Sequence, residues 1–262
     1  MPYFDAPSAS LQRMFGIADG DLPDAAVVLG QWGQSGYFQH LRDIWPETRE
    51  IEEHTALIQT DGRQIWVSVV FGAPMAATIT HFAVRLGARA VIQIGSMGGL
   101  APGWNIGDVL VPSLVIGRDG VSRQLSRNKA IEPDAELSGH LREELSARLP
   151  DATIRSGTLV STTTISLERH RDIARWQRSG FAGVEMECAA TMSTARHFGA
   201  AVAGAFVLID NIADGHAFYD LTDGEEAHIR AAKDATLRAS VESALRHLVP
   251  RLSRPRSRRG PD

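Results

Sequence analysis

Two carboxylates flank a methionine in the run Gly183-Val184-Glu185-Met186-Glu187-Cys188-Ala189-Ala190. An ionised carboxylate only accepts hydrogen bonds. It can take them from two adjacent hydroxyls, which is what holding the 2′,3′-diol of a ribose requires. The methionine offers a soft apolar surface to a sugar face. Further on, the apolar run Val207-Leu208-Ile209 ends in Asp210-Asn211. A carboxyl closing a buried strand is well placed to give or hold a proton.

These side chains need a scaffold, and apolar runs punctuated by glycine supply one. Ala25–Gly30 reads as a buried strand stopping at glycine. Residues 56–60 and 64–70 read as a hairpin around the Asp61-Gly62 turn. Residues 90–96 form a continuous apolar strand, as in a sheet covered on both faces. Further strands are expected from 107, over 155–162 and over 201–209. Helices are expected over 39–45, 75–86 (closed by Gly87), 134–149, 167–177, 187–198 (closed by Gly199) and 223–248. Residues 1–24 show no clear pattern. Strands alternating with helices predict a single α/β domain over 1–250, a mixed central sheet flanked by helices. Open α/β sheets bind ligands beyond the carboxyl ends of their strands. Here those ends are Gly30, Gly95-Ser96, Thr162-Thr163-Thr164 and Asp210-Asn211.

Together the Glu185-Met186-Glu187 and Asp210-Asn211 stretches resemble the nucleoside phosphorylase and nucleosidase superfamily, which includes purine nucleoside phosphorylase, uridine phosphorylase and methylthioadenosine nucleosidase. The resemblance covers roughly residues 20–248. It implies that Glu187 holds the ribose diol with Met186 against the sugar and Glu185 beside them. It also implies that Asp210 protonates or hydrogen-bonds the leaving base. Phe71 stands where relatives place a residue under the ribose, and Ile165 where many carry an aromatic that stacks on the base. Thr163, Asn211 and His216 complete the expected substrate contacts. Gly30, Gln34, Gln93 and Ser96 fall at the nucleophile site.

Three departures bear on the nucleophile. Phosphorolytic relatives carry phosphate-binding arginines where this sequence has Gln34 and Gln93, and a third where His54-Thr55 stands. An arginine fork makes charge-assisted bonds roughly twice as strong as neutral ones. Losing two or three should cost several kcal/mol, at about 1.5–3 per charged bond. Water is therefore expected in preference to phosphate, unless Arg63, Arg85 or Lys129 supplies charge from elsewhere. Hydrolytic relatives place a glutamate in the first loop, and residues 31–35 contain none. The loop after Asp210 and the lack of a uracil-reading Gln and Arg pair within 161–169 favour a purine-like base. Phe206 stands where methylthioadenosine-type enzymes carry arginine. The expected activity is cleavage of a ribonucleoside N-glycosidic bond. The alternatives are a phosphate-dependent phosphorylase and a nucleoside-binding protein without catalysis. The family also implies a homo-oligomer, dimer or hexamer.

Composition narrows the rest. The chain has 262 residues and a net charge of −4. That gives no general field for nucleic acid. The basic tail, 251–262, reads as a solvated end. The single cysteine, Cys188, cannot form an internal disulfide and reads as a small buried residue. No apolar stretch reaches membrane-spanning length and the first residues lack a basic leader, so no membrane partner and a cytoplasmic location are expected. Nine histidines are scattered without metal-ligand spacing, and Gly95-Ser96-Met97-Gly98-Gly99 is not a nucleotide-cofactor fingerprint. No metal and no cofactor are expected.

Overall fold

The computed structural model describes residues 3–32, 36–126 and 130–249. Among them, twelve strands join in one sheet: β1 Ala25–Gly30, β2 Arg49–Glu52, β3 Thr55–Thr60, β4 Arg63–Val70, β5 Ala90–Gly99, β6 Val109–Leu110, β7 Leu114–Gly117, β8 Ala130–Ile131, β9 Ile154–Arg155, β10 Thr158–Ser161, β11 Gly183–Glu185 and β12 Ala201–Asn211. The helices are α1 Ser8–Phe15, α2 Tyr37–Ile44, α3 Ala73–Arg85, α4 Ser122–Leu125, α5 Ala135–Arg148, α6 His170–Arg178, α7 Cys188–His197 and α8 Asp223–Leu248. This is the expected single α/β domain with a mixed sheet. None of these helices is long and apolar enough to cross a membrane. The basic tail, Gln34 and Lys129 lie outside the described residues.

The centre is parallel. Strand β5 lies between β1 and β12, with Ala25 and Ala201 both level with Ala90. Alternate residues serve opposite faces. Val27, Ile92 and Ala203 pack toward α2, α5 and α8. Val28, Val91 and Val202 pack toward α3 and α7. Both faces are covered, which is why these strands read as unbroken apolar runs. At the margin, β3 and β4 pair antiparallel up to Thr60 opposite Arg63. Asp61 and Gly62 between them have φ of 49° and 69°, the left-handed pair that a two-residue hairpin turn needs.

The structure departs from the sequence expectations in short pieces. The strand expected over 155–162 is two, β9 and β10, pairing with different neighbours. A Cβ on Gly157 between them would lie 2.8 Å from the Ala182 side chain, so close backbone approach breaks the run. The helix expected from 167 begins at His170, after a 3₁₀ turn at Ile165–Leu167. Helix α1 occupies part of the stretch left unassigned. Strand β11, unforeseen, runs antiparallel to the end of β5. It turns the chain back toward Gly95 and Gly30, and so delivers the start of α7 to the strand ends.

Candidate active site

Glu187 stands at the start of α7 and is only 6% exposed. Its Oε1 accepts the Gly72 amide hydrogen at 2.6 Å. Gly72 has φ of 81°, and only glycine adopts that turn without strain. Phe71 comes just before it, at the end of β4. A Cβ on Gly30 would lie 2.7 Å from Glu187 Oε2 and 3.4 Å from Gln93 Nε2. The bare glycine at the end of β1 therefore makes room for the carboxylate. Burial raises the Glu187 pKa, while the backbone donors at Gly72 and Met186 hold it down.

Glu185 does different work. Its Oε2 accepts the amide hydrogens of Glu187 and Cys188, each at 2.7 Å, and its Oε1 accepts from the Ser161 hydroxyl. The same Ser161 oxygen takes the Ala189 amide hydrogen at 2.8 Å. Glu185 and Ser161 thus satisfy the free amides that open α7. Its carboxyl is pushed up to about 8, first by burial and then by the Glu187 charge, against these hydrogen bonds. Glu185 supports Glu187 from beneath, and its oxygens are already engaged. Met186 between them is half-buried. Cys188 is buried, and burial with the two neighbouring carboxylates drives its thiol pKa well up, so it is inert.

Asp210 owes its direction to a bulge. Leu208 pairs with Met97, yet Asp210 pairs with Gly98, leaving Ile209 as the extra residue. A bulge shifts every later side chain to the other face. Asp210 thus joins the face of β5 that carries Ile94 and Ser96, its Oδ1 3.1 Å from where a Gly98 Cβ would stand. Burial raises its pKa to about 6. Glu168 was not singled out in the sequence. Burial, then the charges of Asp210 and Asp172, raise it to about 7, and its buried Oε1 has no hydrogen-bond partner. A carboxylate in the loop after a strand's carboxyl end was the available signal.

A cavity of about 490 Å³ opens over the ends of β1 and β5. Gly30 and Ser96 line it, together with His40 of α2 and Arg230, Lys233 and Asp234 of α8. Gly30 connects it to Glu187; Glu187 and Asp210 are not in its wall. The α8 side chains had no place in the sequence reading, because charges on a long helix read as a solvated face.

The remaining expected residues are distributed unevenly. Gln93 does not face this cavity. It is 0% exposed on the opposite face of β5, donating to the Ile94 carbonyl at 3.1 Å and accepting from the Thr191 hydroxyl. Odd residues of β5 face α7, so Gln93 lies outside the cavity wall, behind Gly30. Asn211 is bound within its own loop, accepting from the Ala213 amide and donating to Asp214 at 2.7 Å. Thr163, Ile165 and His216 are exposed on loops at this edge of the sheet. Phe71 is exposed, packed edge-on against Trp32 at 4.9 Å. Of the alternative cations, Arg63 pairs with Asp24 at 3.0 Å at the far end of β4, and Arg85 donates to the Phe4 and Ala6 carbonyls. Neither reaches the site.

Residues 26–249 match the family model described as "Phosphorylase superfamily". The chain is 25% identical to a guanosine phosphorylase of Halorubrum lacusprofundi over 235 residues, 88% of this chain and 93% of that protein. Over 92 residues, 33% of each chain, it is 29% identical to a uridine phosphorylase of Thermococcus kodakarensis. The family match spans the sheet, Gly30, the Glu185–Glu187 turn and Asp210 alike, and the chain belongs to the phosphorylase superfamily.

Proposed function

We propose that this protein cleaves the N-glycosidic bond of a ribonucleoside carrying a purine-like base. The observation that carries the reading is Asp210, turned by the Ile209 bulge and raised by burial to about 6. A carboxyl in that range can hold a proton for a leaving base near neutral pH. Glu187, buried and fixed by Gly72, takes the ribose diol. Met186 and Phe71 lie against the sugar, while Thr163, Ile165 and His216 stand around the base. The bond to the base breaks with its electron pair going to the base, and stabilising that charge and the cationic sugar supplies most of the acceleration.

The nucleophile is phosphate, entering beside Gly30 and Ser96. Both relatives are named phosphorylases, and the guanosine phosphorylase supports the purine preference. A second reading, hydrolysis by water, is favoured by the sequence, which has Gln34 and Gln93 where phosphorolytic relatives carry phosphate-binding arginines. Base release from adenosine, guanosine, inosine and uridine, with and without phosphate, tests both. Release that needs phosphate supports phosphorolysis, and release without it supports hydrolysis. Nucleoside binding without release in either condition would leave a binding protein.

A further inference from the structure

We propose that Lys233 and Arg230 of α8 hold the phosphate nucleophile, supplying from the C-terminal helix the charge that the loop residues lack. The proposal rests on the glycosidic-cleavage reading and adds the residues that grip its second substrate. Arg230, Lys233, Asp234 and Leu237 fall at i, i+3, i+4 and i+7, one face of α8, and all four line the cavity that Gly30 and Ser96 close from the sheet side.

The charges are unevenly spent. Asp234 is already engaged, its Oδ1 2.7 Å from His40 Nε2 and its Oδ2 3.4 Å from Arg238 Nε. Arg230 reaches Glu226 at 3.3 Å in an exposed pair, which costs little to give up. The Lys233 side chain makes no ion pair or hydrogen bond among the described residues. It is exposed at the surface, yet protein around its ammonium disfavours the charge, and an anion in the cavity would restore that charge's partner. Two cations therefore face a space bounded by a bare glycine and a serine hydroxyl, large enough for phosphate beside a sugar.

Asp234 adds a selection. A carboxylate in the wall repels a fully ionised anion but accepts a hydrogen bond from one that keeps a proton. Hydrogen phosphate keeps one at neutral pH and sulfate does not. In the reaction a phosphate oxygen bonds C1′ as the C1′–N bond breaks. The base gains one proton and hydrogen phosphate loses one, so ribose 1-phosphate and free base leave with charge and atoms balanced. His40 and Asp234 lie in the wall where that proton departs.

Calorimetric titration of the full chain with phosphate, without nucleoside, tests the site apart from catalysis. Wild type should bind phosphate, and bind sulfate at least tenfold more weakly. Lys233→Gln should weaken phosphate binding about tenfold or more, the cost of one charged bond, while Lys233→Arg keeps most of it. In turnover Lys233→Gln should raise the phosphate KM and leave the nucleoside KM near wild type. No phosphate binding by wild type, or equal binding by Lys233→Gln, overturns the proposal. Phosphate binding without base release would leave the site standing and defeat the glycosidic reading instead.

Discussion

Asp210 and Glu187 are both carboxyls near strand ends, and their surroundings differ. Glu187 is held by an amide donor at Gly72 and fits a diol as an acceptor. Asp210 has a pKa raised to about 6 by burial alone, so its acid form is present below that pH and is lost above it. If the protonated form assists the leaving base, kcat/KM should fall about tenfold per pH unit above about 6. Asp210→Asn should remove that limb and lower kcat/KM for a purine nucleoside about 10²–10⁴-fold, the usual worth of a general acid. Activity that survives the substitution with its pH profile intact would take the role away from Asp210. The Asp210 charge in turn disfavours ionisation of its neighbour Glu168.

At the scale of elements, one bare α-carbon and one helix start position Glu187. A methyl on Gly30 would meet Oε2 at 2.7 Å with Gln93 close behind, so Gly30→Ala should displace the carboxylate. Overpacking of this kind costs about 1–3 kcal/mol; the nucleoside KM should rise several-fold, and an unchanged KM would place the ribose elsewhere. The start of α7 carries a pH signature. Burial raises the folded pKa of Glu185 from 4.5 to about 8, so between those values the folded chain holds a proton that the unfolded chain releases. Its contribution is full below pH 4.5 and is lost as pH rises through about 8. Thermal melts should show Tm falling from pH 5.5 to 8.5, and Glu185→Gln, which cannot ionise, should flatten that slope. A parallel slope in the variant would mean that other groups set it. The long elements here were legible: Ala25–Gly30 and α8 follow their apolar and capping patterns closely. Strand β11 was not, because three residues carry no period. The bulge at Ile209 was not either, since an extra residue in an apolar run leaves no mark in composition. Yet that bulge decides which face receives Asp210.

Across the whole molecule, the carboxyl-end loops carry both the candidate chemistry and an unusual share of exposed apolar surface. The resemblance made the edge legible through Gly30, Ser96, Glu187 and Asp210. It did not reveal what α8 brings, because Lys233 and Arg230 become neighbours of Gly30 only through packing on the sheet. At the same edge Trp32, Phe71, Ile165, Leu167, Phe218 and Tyr219 are all exposed, with Trp32 against Phe71 and Phe218 against Tyr219. An aromatic side chain offers about 150–250 Å² to a partner. Six large apolar groups together approach the roughly 800 Å² that each side of a stable interface buries. Large contiguous apolar patches are uncommon on monomers, and the two aromatic pairs are such pieces at this edge. A second copy is the partner the family resemblance implies, and it would cover these loops. Sedimentation at micromolar concentration should therefore give an even multiple of the chain mass, and Trp32→Ser with Leu167→Asp should shift it toward the monomer. In the same double variant the nucleoside KM should rise, because loops that lose their cover hold the base less well. A wild-type monomer with full activity would show that one chain completes the site by itself.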